Sequence, residues 1–249
     1  MEQPKLTLPR DRELLAFIFA RFIDGEMTGL REGRALCRAP TLQAADFLAR
    51  QVRDELRHAQ MYAALYRYAS PGRGVPRSPW LLTAIMAPVS GRFWAEHCFL
   101  DKALGERWVL HLMQRLAEDT DDARITRTLR AIAKDEREHI NFGENETRSY
   151  VGTNRFRRYY LWGLFLRVDL AIALAYRILY PVIRKRYSEA AAIMLTRFFT
   201  ESREKILHEC AALLGVPPRR SLLQLVVCQL LFWLRWPFIG WRRAPRPEV

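Results

Sequence analysis

Apolar side chains recur with helical period along almost the whole chain. Leu14, Leu15, Ile18, Phe22 and Ile23 form one stripe within residues 11–37, and Asp11 is the expected N-cap. Leu42, Phe47, Leu48, Val52, Leu56, Ala59, Ala63 and Tyr66 form a second over 41–69, opened by Thr41 after Pro40. SPGRGVPRSP at 70–79 then breaks the pattern, and a short apolar piece, 80–87, leads to Pro88. Helices over about 90–118 and 122–150 follow, separated by EDTDD at 118–122. Three more helical stretches, 156–183, 187–214 and 221–236, come after Gly152, with breaks at Pro181 and at GVPP (215–218). Nowhere does a period of two persist long enough to argue a strand, so the expected class is all-α. Residues 1–150 read as four helices with two short turns and one longer crossover, the economy of a four-helix bundle. Residues 151–249 read as a C-terminal helical extension.

Two of these helices carry the same motif. The second contains Asp54-Glu55-Leu56-Arg57-His58 and the fourth Asp135-Glu136-Arg137-Glu138-His139. In a helix, Glu at i and His at i+3 share a face. Chance gives about 0.3 Glu-x-x-His pairs in a chain of this composition, so two copies, each preceded by Asp, carry information. Glu26 lies 29 residues before Glu55, and Glu106 lies 30 before Glu136. In antiparallel hairpins of this length those positions stand level with the motifs. Glu96 and Asp101 are rivals to Glu106, but their offsets from Glu136, 40 and 35, break the symmetry. Each hairpin thus offers a lone Glu and a Glu-x-x-His, the donor set of ferritin-like di-iron and di-manganese proteins.

The charges favour that match. Glu26, Glu55, Glu106 and Glu136 supply −4 against two divalent cations, and four inward glutamates without cations would be costly to bury. Oxygen and nitrogen donors with open positions suit non-haem iron, with manganese as the alternative; zinc prefers four-coordinate sites with fewer carboxylates. His58 and His139 supply the nitrogens. Asp54 and Asp135 are then expected to hydrogen-bond the ring nitrogens facing away from the metals and to fix their tautomers.

With IDGEMTG at 23–29, the DELRH site and KDEREHINFGE at 134–144, residues 14–150 resemble the ferritin-like di-iron oxygenases, most closely the aldehyde-deformylating oxygenases. The resemblance implies metal ligation by Glu26, Glu55, His58, Glu106, Glu136 and His139. It also implies O2 binding between two reduced irons, oxidation of an organic substrate, and electrons from a separate reductase or ferredoxin. Tyr62, one turn after His58, corresponds to the redox tyrosine of the radical-generating ribonucleotide reductase subunit, a relative; a core aromatic whose hydroxyl finds a partner is the favoured reading. Gly143, at the matching place after His139, either leaves room for a substrate channel or lets two helices pack closely. His97, His111 and His208 have no partner at ligand spacing and read as ordinary helix histidines.

Composition narrows the class. The chain has 249 residues, half of them hydrophobic, which excludes disordered and collagen-like readings. Cys37, Cys98, Cys210 and Cys228 lie far apart without a CxxC pair, supporting neither a disulfide framework nor a cysteine zinc site. No signal pattern opens the chain, so a cytoplasmic location is expected. Net charge is +13, of which +2 falls in residues 1–150 and +11 in 151–249. There, LLQLVVCQLLFWLRWPFIGW (222–241) lies between Arg219-Arg220 and Arg242-Arg243 and includes Trp233, Trp236 and Trp241. This fits either a peripheral membrane anchor or a helix packed across the bundle. Arg155, Arg157, Arg158 and the Arg184-Lys185-Arg186 run suit an anionic membrane surface or an acyl carrier protein; nucleic acid is disfavoured by the Trp-rich tail. The leading expectation is an O2-dependent oxidoreductase acting on an apolar, lipid-linked or carrier-linked substrate. The alternatives are a rubrerythrin-like ferroxidase or peroxide scavenger, a tRNA-modifying di-iron hydroxylase, and a membrane-associated protein whose metal is structural.

Overall fold

Seven helices form all the regular structure among the residues that the computed structural model describes, 5–29, 36, 38–77, 91 and 93–233. Helix α1 is Leu8–Gly29 and α2 is Leu42–Ala69. Helix α3 runs unbroken through Trp94–His97, a wider π-helical segment Cys98–Gly105, and Glu106–Asp119. Helix α4 is Ala123–Val151 and α5 is Arg155–Arg186. Helix α6 joins Glu189–Arg197, π-helical Phe198–Ser202 and Arg203–Leu214, and α7 is Leu222–Trp233. Capping side chains set several starts: Thr41 Oγ1 accepts from the Ala44 N–H at 3.1 Å, Asp122 Oδ1 from Arg124 and Ile125, and Asn154 Oδ1 from Arg157.

Two boundaries differ from expectation. Asp11 is not the N-cap of α1. It sits inside the first turn at a kink, where its Oδ2 accepts from the Thr7 N–H at 2.9 Å. Pro181 does not end α5. A mid-helix proline costs one hydrogen bond and crowds the carbonyl one turn back, but here it lies on an exposed stretch. The break comes at Ser188, which takes extended backbone angles, caps α6 by accepting from the Ala191 N–H, and donates its hydroxyl to buried Asp11.

Helix α1 packs on α2, α3 on α4, and α2 on α4. One apolar core joins Leu15, Phe19, Tyr62, Leu65, Met113 and Leu129 at the end where α2 finishes and α4 begins. A second joins the π segment of α3 to α5 and α6 through Phe99, Leu104, Tyr160, Phe165, Ile206 and Leu214. Between these apolar ends lies the polar centre. Buried Arg107 ties the layers, bonding Glu144 of α4 and, at 2.6 Å, Glu209 of α6.

Gly143 is a packing glycine. A Cβ there would stand 2.6 Å from Lys102 Cβ, 2.7 Å from Ala103 N and 2.8 Å from Cys98 O, so the π segment fills the space a channel would need. Gly143→Ala should lower stability by about 1–3 kcal/mol through forced separation of α3 and α4. Gly25→Ala, where a Cβ meets nothing within 4 Å, should be neutral or stabilising by up to about 1 kcal/mol. Chemical denaturation of the two variants checks this pair. Cys37, the 80–87 piece, Pro88, Trp236, Trp241, Arg242 and Arg243, like the side chains of Cys228 and Trp233, lie outside the described residues.

Candidate metal centre

Six side chains from four helices converge between the two apolar cores. Glu26 of α1, His58 of α2 and Glu136 of α4 each bring a donor atom within 4.8 Å of the others, and so do Glu55 of α2, Glu106 of α3 and His139 of α4. Each group draws its histidine from one motif and a glutamate from the other. The exchange arises because Glu136 lies between the two histidines, whose ring centroids are 6.2 Å apart, while Glu55 lies beside His139. Glu136 spans them, with Oε1 3.1 Å from His58 Nδ1 and Oε2 3.0 Å from His139 Nδ1. Glu55 Oε1 lies 3.9 Å from His139 Nδ1, and Glu26 Oε2 lies 3.9 Å from His58 Nδ1. The rivals of Glu106 are elsewhere: buried Glu96 accepts from the Tyr160 hydroxyl, and half-exposed Asp101 pairs with Lys102.

One contact tests whether a cation fits. Asp135 Oδ2 is 3.2 Å from His58 Nε2. An ionised carboxylate only accepts, so in the neutral imidazole the proton sits on Nε2 and Nδ1 presents a lone pair. That lone pair faces Glu136 Oε1, and despite their 3.1 Å approach neither atom has a hydrogen-bond partner in the structure. Two buried acceptors aimed at one another repel unless a proton on the ring or a metal cation lies between them. Divalent metal chemistry meets that need: two groups, each with two carboxylates and one imidazole, can hold metal ions.

The electrostatics point the same way. Burial, then the adjacent Glu55 carboxylate, drives the Glu26 pKa far above the carboxylate range. Burial, then the charges of Glu136 and Glu55, raises Glu106. For Glu136 burial works upward, but the His139 and His58 imidazoles outweigh it and hold the carboxyl down at about 2. For His58 burial works downward, and Glu136 and Asp135 overcome it to raise the ring. The centre cannot ionise fully on its own.

The flanking residues divide. Asp135 contacts the histidine of the opposite motif, His58. Asp54 Oδ2 stands 3.7 Å from His139 Nε2, beyond hydrogen-bond reach. Arg57 Nη2 bridges the two aspartates, 2.8 Å from Asp54 and 3.0 Å from Asp135. Tyr62 is fully buried against Phe22 and donates its hydroxyl to Met113 Sδ at 2.8 Å. Burial, then the surrounding glutamates, keeps its phenol protonated well beyond its usual range. His97, His111 and His208 face Asp101, Glu209 and Glu204, outside both groups.

Two residues escaped the sequence pattern. Gln51 Nε2 donates to Glu55 at 2.9 Å and reaches Glu106 at 3.5 Å. Lys102, with no exposed surface, places Nζ 3.5 Å from Glu106 and 4.0 Å from Glu55. Each stands four residues before one of the ligand-type glutamates, so the helical i, i+4 rule applied to Glu55 and Glu106 finds both. Surface cavities of about 180 Å³ beside His111 and about 630 Å³ beside Tyr180 and Arg197 border none of the six. No family model, no curated protein and no solved structure matches the chain.

Proposed function

We propose that the chain is a ferritin-like di-metal oxidoreductase that uses two iron ions, or one iron and one manganese, to activate O2 and oxidise an apolar or carrier-linked organic substrate. The observation that carries this reading is Glu136, whose two oxygens address two histidines, one of them with an unpaired nitrogen. Glu26 and His58 would hold one metal, Glu106 and His139 the other, with Glu55 and Glu136 shared. The metals when bound would supply the electrons that reduce O2, replenished by an external reductase or ferredoxin. The chain's own residues do the rest. Asp135 fixes the His58 tautomer, Arg57 holds Asp54 and Asp135 in place, and the surrounding apolar layers exclude water. Tyr62 keeps its proton and directs it to Met113 Sδ.

O2 uptake by reduced, iron-loaded protein tests the reading. Repeated consumption that depends on a long-chain aldehyde or other apolar substrate, with an oxidised product, is expected of an oxygenase. Uptake that needs no substrate and deposits ferric iron beyond two ions per chain would assign a ferroxidase instead.

Lys102 makes the two groups unequal. Among the described residues no lysine or arginine nitrogen lies within 4 Å of Glu26 or Glu136, whereas the Lys102 ammonium faces both glutamates of the other group. A unit charge at 4 Å is worth about 4 kcal/mol at an effective dielectric of 20. Relief of even a third of that is about tenfold in affinity. Lys102→Met should therefore tighten the weaker of two manganese-binding steps by about tenfold or more and the tighter step by less, as read by calorimetric titration.

A further inference from the structure

Two neighbouring helices turn apolar faces outward. Along α5, Leu170, Leu174, Ile178 and Val182 recur every four residues, each 41–53% exposed, a stripe of about 18 Å. Helix α7, which packs against α5, directs Leu225 toward the second core. It leaves Leu222, Leu223, Val226, Val227 and Leu230 between 45% and 76% exposed. A helix normally hides its apolar arc; nine large aliphatic side chains on two adjacent helices exceed the scattered exposure of an ordinary surface.

Along the two helices the exposed charge has one sign, while Glu204 at their edge pairs with Arg220. No acidic residue occurs from 170 to 187 or from 210 to 247. The only acidic residue of α5, Asp169, is buried and held by Arg203 at 2.6 Å and Arg220 at 3.1 Å. Arg177, Arg184 and Lys185 flank the α5 stripe, and Arg219 precedes α7, all exposed. A second copy of the chain seated here would bring these cations against their own kind. An anionic lipid surface would take both features, aliphatic side chains among the acyl chains and cations among the headgroups. Among the described residues no helix is long and apolar enough to cross a bilayer, and the exposed aliphatic side chains run lengthwise along α5 and α7, which suits contact parallel to the surface.

We infer that the outward faces of α5 and α7 form a peripheral docking surface for anionic lipid. The inference stands independently of the metal chemistry. It differs from the sequence expectation by resting on the α5 stripe, which the run at 222–241 does not include. The test is co-sedimentation of the full chain with vesicles of phosphatidylcholine alone or mixed equally with phosphatidylglycerol. Wild-type protein should bind the anionic vesicles, release from them as salt rises, and ignore the neutral ones. Leu174→Glu with Ile178→Glu, and separately Val226→Glu with Leu230→Glu, should each weaken binding by about tenfold or more. All four positions are exposed, and unchanged circular dichroism with unchanged manganese content will show that the variants fold. Failure of the wild type to bind anionic vesicles would overturn the inference, as would equal binding by both double variants. A dimer in light scattering that the same substitutions dissociate would assign the face to a second copy instead.

Discussion

Glu136→Ala should abolish metal retention at both positions, because one carboxylate serves both histidines. After manganese loading and gel filtration, wild-type protein should carry two ions per chain and the variant fewer than one. Glu138→Ala, two residues away on the exposed side of the same helix, should keep both. The variant need not unfold: removing a buried carboxylate that lacks its cation relieves a desolvation cost, and α4 retains its capped start at Asp122. The diagnostic result is a melting temperature that no longer rises on adding manganese. If Glu136→Ala instead binds one ion tightly, the two groups do not share this residue.

The second large effect is a pH dependence that metal should remove. In the metal-free protein Glu26 and Glu106 have pKa values above their ordinary 4.5, first through burial and then through neighbouring carboxylates. His58 is raised above 6.5, because Glu136 and Asp135 outweigh its burial. The folded state therefore keeps protons that the unfolded chain has already released. Their stabilisation is complete below those ordinary values and is lost as pH climbs toward the raised ones. Glu136, held down at about 2, acts oppositely, but its contribution disappears only as pH falls from 4.5 toward 2 and is constant above. His97, lowered by burial from 6.5 to about 4, opposes them only until pH reaches its ordinary value, so from pH 6.5 to pH 8 the metal-free protein should melt at progressively lower temperature. Metal ions displace those protons, so the gain in melting temperature on adding manganese should be larger at pH 8 than at pH 6.5. A metal-free melting temperature that is flat or rises over this interval would mean that the carboxylates ionise freely.

What the sequence disclosed follows from how local each signal is. Helix positions came from periodicity, and the convergence of Glu26, Glu55, Glu106 and Glu136 from two motifs and two nearly equal offsets. Both kinds of signal are carried by spacing along single helices and hairpins. Pro181 misled because a proline's local penalty was outbid by the caps and tertiary contacts at Ser188 and Asp11, which are far apart in the chain. The π segment at Cys98–Gly105 leaves no composition mark. It becomes intelligible only when Gly143 is found against it, and it disposes of the space a channel would have used. Lys102 was legible by its spacing from Glu106, yet a lysine beside a glutamate on a helix is usually a solvated pair. Only its complete burial gives it meaning. The outward stripe on α5 was hidden for the opposite reason, since aliphatic residues every four positions ordinarily mark the face turned inward.

The central claim is that Glu26, Glu55, His58, Glu106, Glu136 and His139 hold a pair of metal ions. Anomalous diffraction at the iron edge from crystals grown after anaerobic iron(II) loading tests it most directly. The account predicts two peaks about 3.5–4 Å apart, one beside His58 and one beside His139, with Glu136 reaching both. A single peak, or iron bound only at surface carboxylates outside this cluster, would contradict it.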